Sequence, residues 1–239
     1  MIQVIMSSII SIGWPLSEAA GKVLIVAEVT LQQQAYELIK DRIVNCRYLP
    51  GAFLNTLELQ DNLGISRTPI REAIGRLEQE NLVRVIPKKG IIVCDLSINM
   101  INTIYETRML IEPHIVVNYG ARVDRSELIR MRELFDVNPF ESGLAKDDFF
   151  AYDGELHSLI RSTCPNIFLN QALDQIHSQD KRVRVLSGTL GYRLDDSCRE
   201  HVAIIDAILE GALPKAGELM LAHLKASRET AFLLPVKPE

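Results

Sequence analysis

The sequence predicts a mainly α protein, an N-terminal winged helix-turn-helix followed by an all-α helical bundle. Three observations predict it. Helical apolar spacing begins at Thr30 and is broken by caps and stops that leave a three-residue turn before Arg67. The period then changes to two on either side of Pro87-Lys88-Lys89-Gly90. After Leu96 the spacing is helical again, with no strand signal.

In order, Leu31, Ala35, Leu38, Ile39, Ile43 and Val44 form one stripe behind Thr30, a predicted N-cap, and Leu49-Pro50-Gly51 ends it. A second helix is expected over Glu58–Leu63, with Asn55 or Thr56 as cap and Gly64 as stop. Ser66 or Thr68 can cap a third helix, in which Pro69 suits the first turn because its missing N–H would find no helical partner there. Ile70, Ala73, Ile74 and Leu77 are its expected buried face. Leu82–Ile86 and Ile91–Asp95 then form a hairpin. Six further helices are expected at 98–119, 125–136, 144–162, 167–187, 195–210 and 214–233.

This divides the chain into an extension (1–29), a winged domain (30–96) and a helical domain (97–234). The extension is apolar, but its first positive charge, Lys22, follows the apolar run, and Trp14-Pro15 and Glu18 interrupt it. It lacks a basic leader and a span of about 18 apolar residues. It reads as a poorly ordered segment with Met6 a second candidate start, and no membrane partner is expected. The four cysteines are scattered with no C-x-x-C pair, as suits small buried thiols in a reducing cytoplasm.

The 239 residues carry a net charge of −5, which argues against a general nucleic-acid binder. The acid excess lies in the helical part. Ser66–Gly90 instead holds six basic residues against three acids. Arg67 and Arg71, four apart, project together from the start of the third helix, where a recognition helix meets base edges. Arginine suits bidentate contact with guanine or phosphate. Thr68 can add a hydroxyl to a phosphate, Lys88 and Lys89 supply counter-charge at the hairpin tip, and Gly90 lets the backbone approach DNA. Each of these residues alone could equally be a solvated surface group. Together, with caps, core and wing in order, they point to double-stranded DNA.

The segment Leu63-Gly64-Ile65-Ser66-Arg67-Thr68-Pro69-Ile70-Arg71-Glu72-Ala73-Ile74, with Arg76-Leu77-Glu78 and Pro87-Lys88-Lys89-Gly90, resembles the DNA-binding domain of GntR-family bacterial regulators over about Gln32–Val93. The resemblance implies operator contacts by Arg67, Arg71 and Gly90. Some members carry a further DNA-contacting arginine where this chain has Leu57, so no contact is carried over there.

A second pattern lies in the helical half. Asp153 and His157 share a helical face, and His201 and His223 lie on the last two helices. Three imidazoles and a carboxylate suit a divalent metal, Zn2+ first among the transition ions, with room for water or an outside ligand. Any one of these histidines could equally be a satisfied core residue. The segment Glu200–Gly211, with Ala216–Leu224, is similar to the FCD domain of the FadR branch of the same family, over about Ile98–Leu233. That resemblance implies a metal held by Asp153, His157, His201 and His223 beneath a small-carboxylate pocket. It also gives Arg108 the role of effector clamp, against the alternative of an ion pair with Glu112. Six helices suggest the VanR-like subtype. His114 and His177 stay structural, and Arg182 and Arg184 could reach the cavity or face solvent or a dimer partner.

The expected function is a cytoplasmic, homodimeric regulator, a repressor in the commoner family mode, on a pseudo-palindromic operator and controlled by a small organic acid. The alternatives are a regulator that senses the metal itself and, more remotely, a metal-dependent hydrolase. The hydrolase would need Glu155 or Glu200 as base and would leave the winged module unexplained.

Overall fold

The computed structural model describes residues 29–136, 146–189 and 193–234. The expected extension lies, apart from Val29, outside them. Helix α1 (Leu31–Val44) starts as its sequence demands, the Thr30 hydroxyl accepting from the Gln33 N–H. Helix α2 (Thr56–Leu63) begins two residues before the expected Glu58, because the Asn55 side chain accepts from Leu57 N–H and fixes the start there. Gly64, in the left-handed conformation, stops it.

Helix α3 (Arg67–Gln79) has Ser66 at its cap position without a side-chain cap bond. Thr68 therefore lies inside the first turn rather than capping it. Its buried face is Ile70, Ala73, Ile74 and Leu77, as the spacing requires. Arg76 does not join the solvated basic face. Its guanidinium stacks 3.8 Å from the Tyr36 ring centroid and donates to Gln33 at 2.6 Å, tying α3 to α1. Tyr36 and Lys40 both bond Glu80, at 2.6 and 2.7 Å, closing the other end of the same contact.

The wing is β2 (Val83–Ile86) paired antiparallel with β3 (Gly90–Val93). A two-residue strand, β1 (Phe53–Leu54), adds to the outer edge of β3, giving the order β1-β3-β2. The sequence reading did not contain β1, since two residues show no period and exist as a strand only through their partner. At the tip Lys89 N–H bonds Ile86 O, with Pro87 and Lys88 in the middle of the turn and Lys88 held at φ 63°. Gly90 follows at φ 117°, a conformation only glycine adopts without strain.

Cys94 hands the wing to α4 (Ile98–Tyr119), whose N-cap Ser97 accepts from Met100 N–H. After a 3-10 turn at Gly120–Arg122 come α5 (Arg125–Asp136), α6 (Lys146–Ser162), α7 (Ile167–Thr189), α8 (Leu194–Leu209) and α9 (Leu213–Ala231). One core fills the winged domain, from Ala35 to Val93. A second lies among α4 to α9, with α7 contributing Leu173, and a smaller one joins Leu96 to α4, α7 and the end of α9. No helix among the described residues is long and apolar enough to cross a membrane.

Helices α4 and α9 pack closely at Gly217, where a Cβ would stand 2.5 Å from Val117 Cγ2 and 3.4 Å from Pro113 O. Valine is stiff at χ1, so α4 itself must move to admit a methyl group. Overpacking of this kind costs about 1–3 kcal/mol, of which alanine's better helix propensity returns about 1 kcal/mol. Gly217→Ala is therefore expected to be destabilised, net, by on the order of 1 kcal/mol, read as a lowered urea midpoint at unchanged slope.

Candidate DNA-reading surface and metal-type centre

Two clusters of functional side chains stand at opposite ends of the sequence. In the winged domain Arg67, Thr68, Arg71, Lys88, Lys89 and Gly90 are all exposed, and so is Arg84 between them. Arg67 is the first residue of α3 and Arg71 lies one turn on, so both leave the N-terminal end of that helix. Leu57, at the start of α2, is 68% exposed and offers no polar contact.

In the helical domain, α6 contributes Asp153 and His157, α8 His201 and α9 His223. One ligand-type atom from each lies within 4.8 Å of those of the other three. The spacing on α6 placed the first two, but folding alone brings in the others. His201 and His223 have ring centroids 4.5 Å apart, and His157 lies 5.6 and 5.5 Å from them.

Acids behind the quartet orient two of the rings. His157 Nδ1 meets Glu112 Oε2 at 2.6 Å, and His223 Nδ1 meets Glu200 Oε2 at 2.8 Å. In both rings this occupies Nδ1 and leaves Nε2 for the centre, the usual outer-shell arrangement of ligating histidines. His201 is fully buried, and neither of its ring nitrogens has a hydrogen-bond partner among the described residues. Its Nε2 faces Asp153 Oδ1 at 3.4 Å. A buried imidazole left with two unmet nitrogens costs free energy unless something outside the chain bonds one of them. That orphaned ring is the observation that fits a cation at this point.

The charge states agree. Burial pushes His201 and His223 below the ordinary histidine range, the neighbouring imidazoles adding to it, so both present neutral lone pairs. Burial would raise the Asp153 carboxyl, but the Arg184 guanidinium beside it holds it well below the usual carboxylate range. It is ionised, as a ligand must be.

Arg108 on α4 is 2% exposed. It donates to Glu112 at 2.6 Å and to Asp180 of α7 at 2.9 Å, and its Nη2 stands 3.4 Å from the His157 ring. The ion pair considered as the alternative role of Arg108 is therefore present. The residue also lines a cavity of about 70 Å³ that reaches Asp153 and His223. That is several times the roughly 10–15 Å³ needed for one water. Arg184 and Arg193 line it too, with Ser187, Thr230, Tyr105 and Leu194. Ser187 Oγ is buried without a partner.

Arg182 does not reach this cavity; it points into the contact with the winged domain. His177 lines a smaller space on the His157 side, and His114 is exposed beside Asn118. Sequence reasoning missed Asp180, which pairs with both Arg108 and Arg184. An acid on a long amphipathic helix looks solvated until the packing is known. All four cysteines are free, Cys164 and Cys198 buried and the others partly so, and burial pushes the Cys198 thiol up to about 11.

Comparison with known proteins agrees with both halves. Residues 31–93 match the model of the bacterial regulatory proteins of the gntR family, and residues 103–226, over half the chain, match the FCD domain. A helix-turn-helix transcriptional regulator from the ttuE-ttuC' intergenic region of Agrobacterium vitis is 37% identical over 127 residues, covering 53% of this chain and 69% of its own length. The Escherichia coli repressor RspR is 23% identical, with 84% and 88% covered. Among solved structures, a GntR regulator of Rhodococcus sp. RHA1 shares the fold at TM-score 0.71 and 20% identity, covering 84% of this chain and 97% of that one. The Escherichia coli protein McbR/YncC shares it at TM-score 0.70 and 20% identity, covering 85% and 98%. With an exposed recognition-helix face in front and a helical FCD domain behind it, the chain belongs to the GntR family of bacterial regulatory proteins, as a DNA-binding transcriptional regulator and not an enzyme.

Proposed function

We propose that this regulator is a homodimeric repressor whose FCD domain holds a divalent metal, Zn2+ first, and answers to a small organic acid. The observation that carries the reading is the buried quartet Asp153, His157, His201 and His223, with both nitrogens of His201 unmet. Bound there, the metal supplies a Lewis-acidic point for a carboxylate oxygen. The chain's own residues shape the rest. Glu112 and Glu200 orient His157 and His223, and Arg184 balances the charge of Asp153. Arg108 has Nε and Nη2 on Glu112 and Nη1 on Asp180, with Nη2 also beside the His157 ring, so it is tied into the centre's own network rather than standing free as a two-point clamp. The cytoplasm, where the expected DNA partner resides, is its place of action.

On the DNA side, Arg67 and Arg71 read base edges, while Thr68, Lys88, Lys89 and the Gly90 backbone meet phosphates. Residues 30–96 form the reading unit and 97–234 the controlling one. Two winged domains would take the two halves of a pseudo-palindromic operator. The acid releases the operator only to the extent that it binds the two states of the dimer unequally. A regulator answering to the metal alone is the second reading, and the same orphaned imidazole favours it.

A thermal-shift screen of small organic acids on metal-loaded and chelated protein separates the two. The expected result is one acid class that raises the melting temperature only in the loaded form. Stabilisation by metal with no response to any acid would favour the metal-sensing reading.

A further inference from the structure

Helix α7 touches both functional halves within one turn and a half. On one side, Asp180 accepts from Arg108 at 2.9 Å and pairs with Arg184 at 3.1 Å, and Arg184 in turn holds Asp153. On the other side, Gln179 donates to the backbone carbonyl of Asn81 at 3.0 Å, and Arg182 donates to the backbone carbonyl of Cys94. Residues 180 and 184 share one helical face, and 179 and 182 share a different one.

The two carbonyls gripped by α7 are the ends of the wing. Asn81, at φ 55°, turns α3 into β2. Cys94 closes the ladder through its N–H to Leu82 O and leads into α4. Gln179 and Arg182 are themselves joined at 2.6 Å, so the grip is one unit. Arg182 is fully exposed to neither solvent nor ligand: it has 0% accessibility, and burial pushes its guanidinium below the ordinary range. Cys46, at the end of α1, completes the contact with its thiol 3.7 Å from Arg182 O. A buried cation is costly to keep, and here its cost is offset by hydrogen bonds to Gln179 and to the Cys94 carbonyl at the contact with the wing.

We infer that Gln179 and Arg182 are the positioning residues that pass the state of the Asp153–His223 site to the wing, through the Asp180–Arg184 face of the same helix turn. This rests on the metal reading given above. A cation at the quartet competes with Arg184 for Asp153. Any change in that pair is felt at Asp180, one turn away on a rigid helix, and shifts the carbonyl grips on Asn81 and Cys94.

Hydrogen exchange of the full-length protein, chelated and loaded with Zn2+ alone, tests this without knowledge of effector or operator. In the wild type, Zn2+ should change exchange both in α6 and α8 and in peptides spanning Asn81–Cys94. One local hydrogen bond's worth of stability corresponds to a change of about two- to tenfold at the wing base. In Arg182→Met the wing response should vanish while the α6 and α8 response and the Zn2+ affinity persist. Gln179→Leu, which loses the Asn81 grip and the Gln179–Arg182 bond but keeps the Arg182 bond to Cys94, should reduce the wing response in the same direction and gives a second, independent variant. A wing response that survives in both variants would overturn the inference, as would wild-type protein that responds in α6 and α8 but not in the wing. Absence of Zn2+ binding altogether would instead refute the metal reading, and the relay with it.

Discussion

Protein carrying His201→Ala together with His223→Ala is expected to purify without bound metal, where the wild type is expected to carry one ion per chain. The physical reason lies in what each ring contributes. His201 has no other use for its nitrogens, being buried with both unpartnered. His223 is held by Glu200 with Nε2 left for the centre. Loss of an outer-shell partner alone typically lowers metal affinity about 10–100-fold, and loss of two direct ligands must exceed that. Elemental analysis after dialysis checks it. The variant's own stability will also fall, since the His201 ring packs 4.5 Å from Phe135 and large-to-small changes leave a cavity. The informative quantity is therefore the increment in melting temperature on adding Zn2+, large in the wild type and absent in the variant. Full metal occupancy in the variant would show that these two residues are not ligands.

The second large effect is expected at the other end of the chain. Arg71→Ala should reduce binding to a selected operator to the level of non-specific DNA. Arg71 leaves the exposed face of α3, one turn after Arg67, and no hydrogen bond or ion pair to either residue is found among the described residues. Their guanidinium groups are thus free to address bases. A bidentate contact with guanine is worth about 1–3 kcal/mol. The proposed dimer would lose it twice, so about 2–6 kcal/mol, or roughly 30-fold to 20,000-fold in affinity, is at stake. Lys88→Ala should differ in kind, weakening all sequences alike and lowering the salt slope by about two, one for each protomer of that dimer. Gel-shift titrations on operator and scrambled duplexes distinguish the two patterns. Unchanged specific affinity in Arg71→Ala would remove that residue from the reading surface.

Much of this was legible because the signals are local. Thr30, Gly64, Pro69 and Gly90 each mark a boundary through their own backbone chemistry, and the boundaries of α1, α3 and the wing follow. What failed was what depends on distant partners. Phe53–Leu54 becomes a strand only by pairing with Leu54 opposite Ile91 and Phe53 opposite Ile92. Arg76 counted as part of a basic footprint, yet the nearby Tyr36 ring turns it into a packing residue. In the helical domain the D-x-x-x-H spacing marks one face of α6, but nothing local says that His201 and His223 converge on it; that came from the resemblance. Arg182 and Arg184 were indistinguishable in sequence. Two residues apart on α7, they diverge by about 200° around the axis, one toward the wing and the other toward Asp153.

The most direct test of the account joins its two halves in one titration. Fluorescence anisotropy would follow the binding of metal-loaded protein to a duplex that it has itself selected from a random pool, with and without the acid found by thermal shift. The acid is expected to weaken operator binding by about 5–150-fold, the usual range of coupling between two sites, and to have no effect on chelated protein. Equal operator affinity with and without saturating acid, or an undiminished effect after the metal is removed, would contradict it.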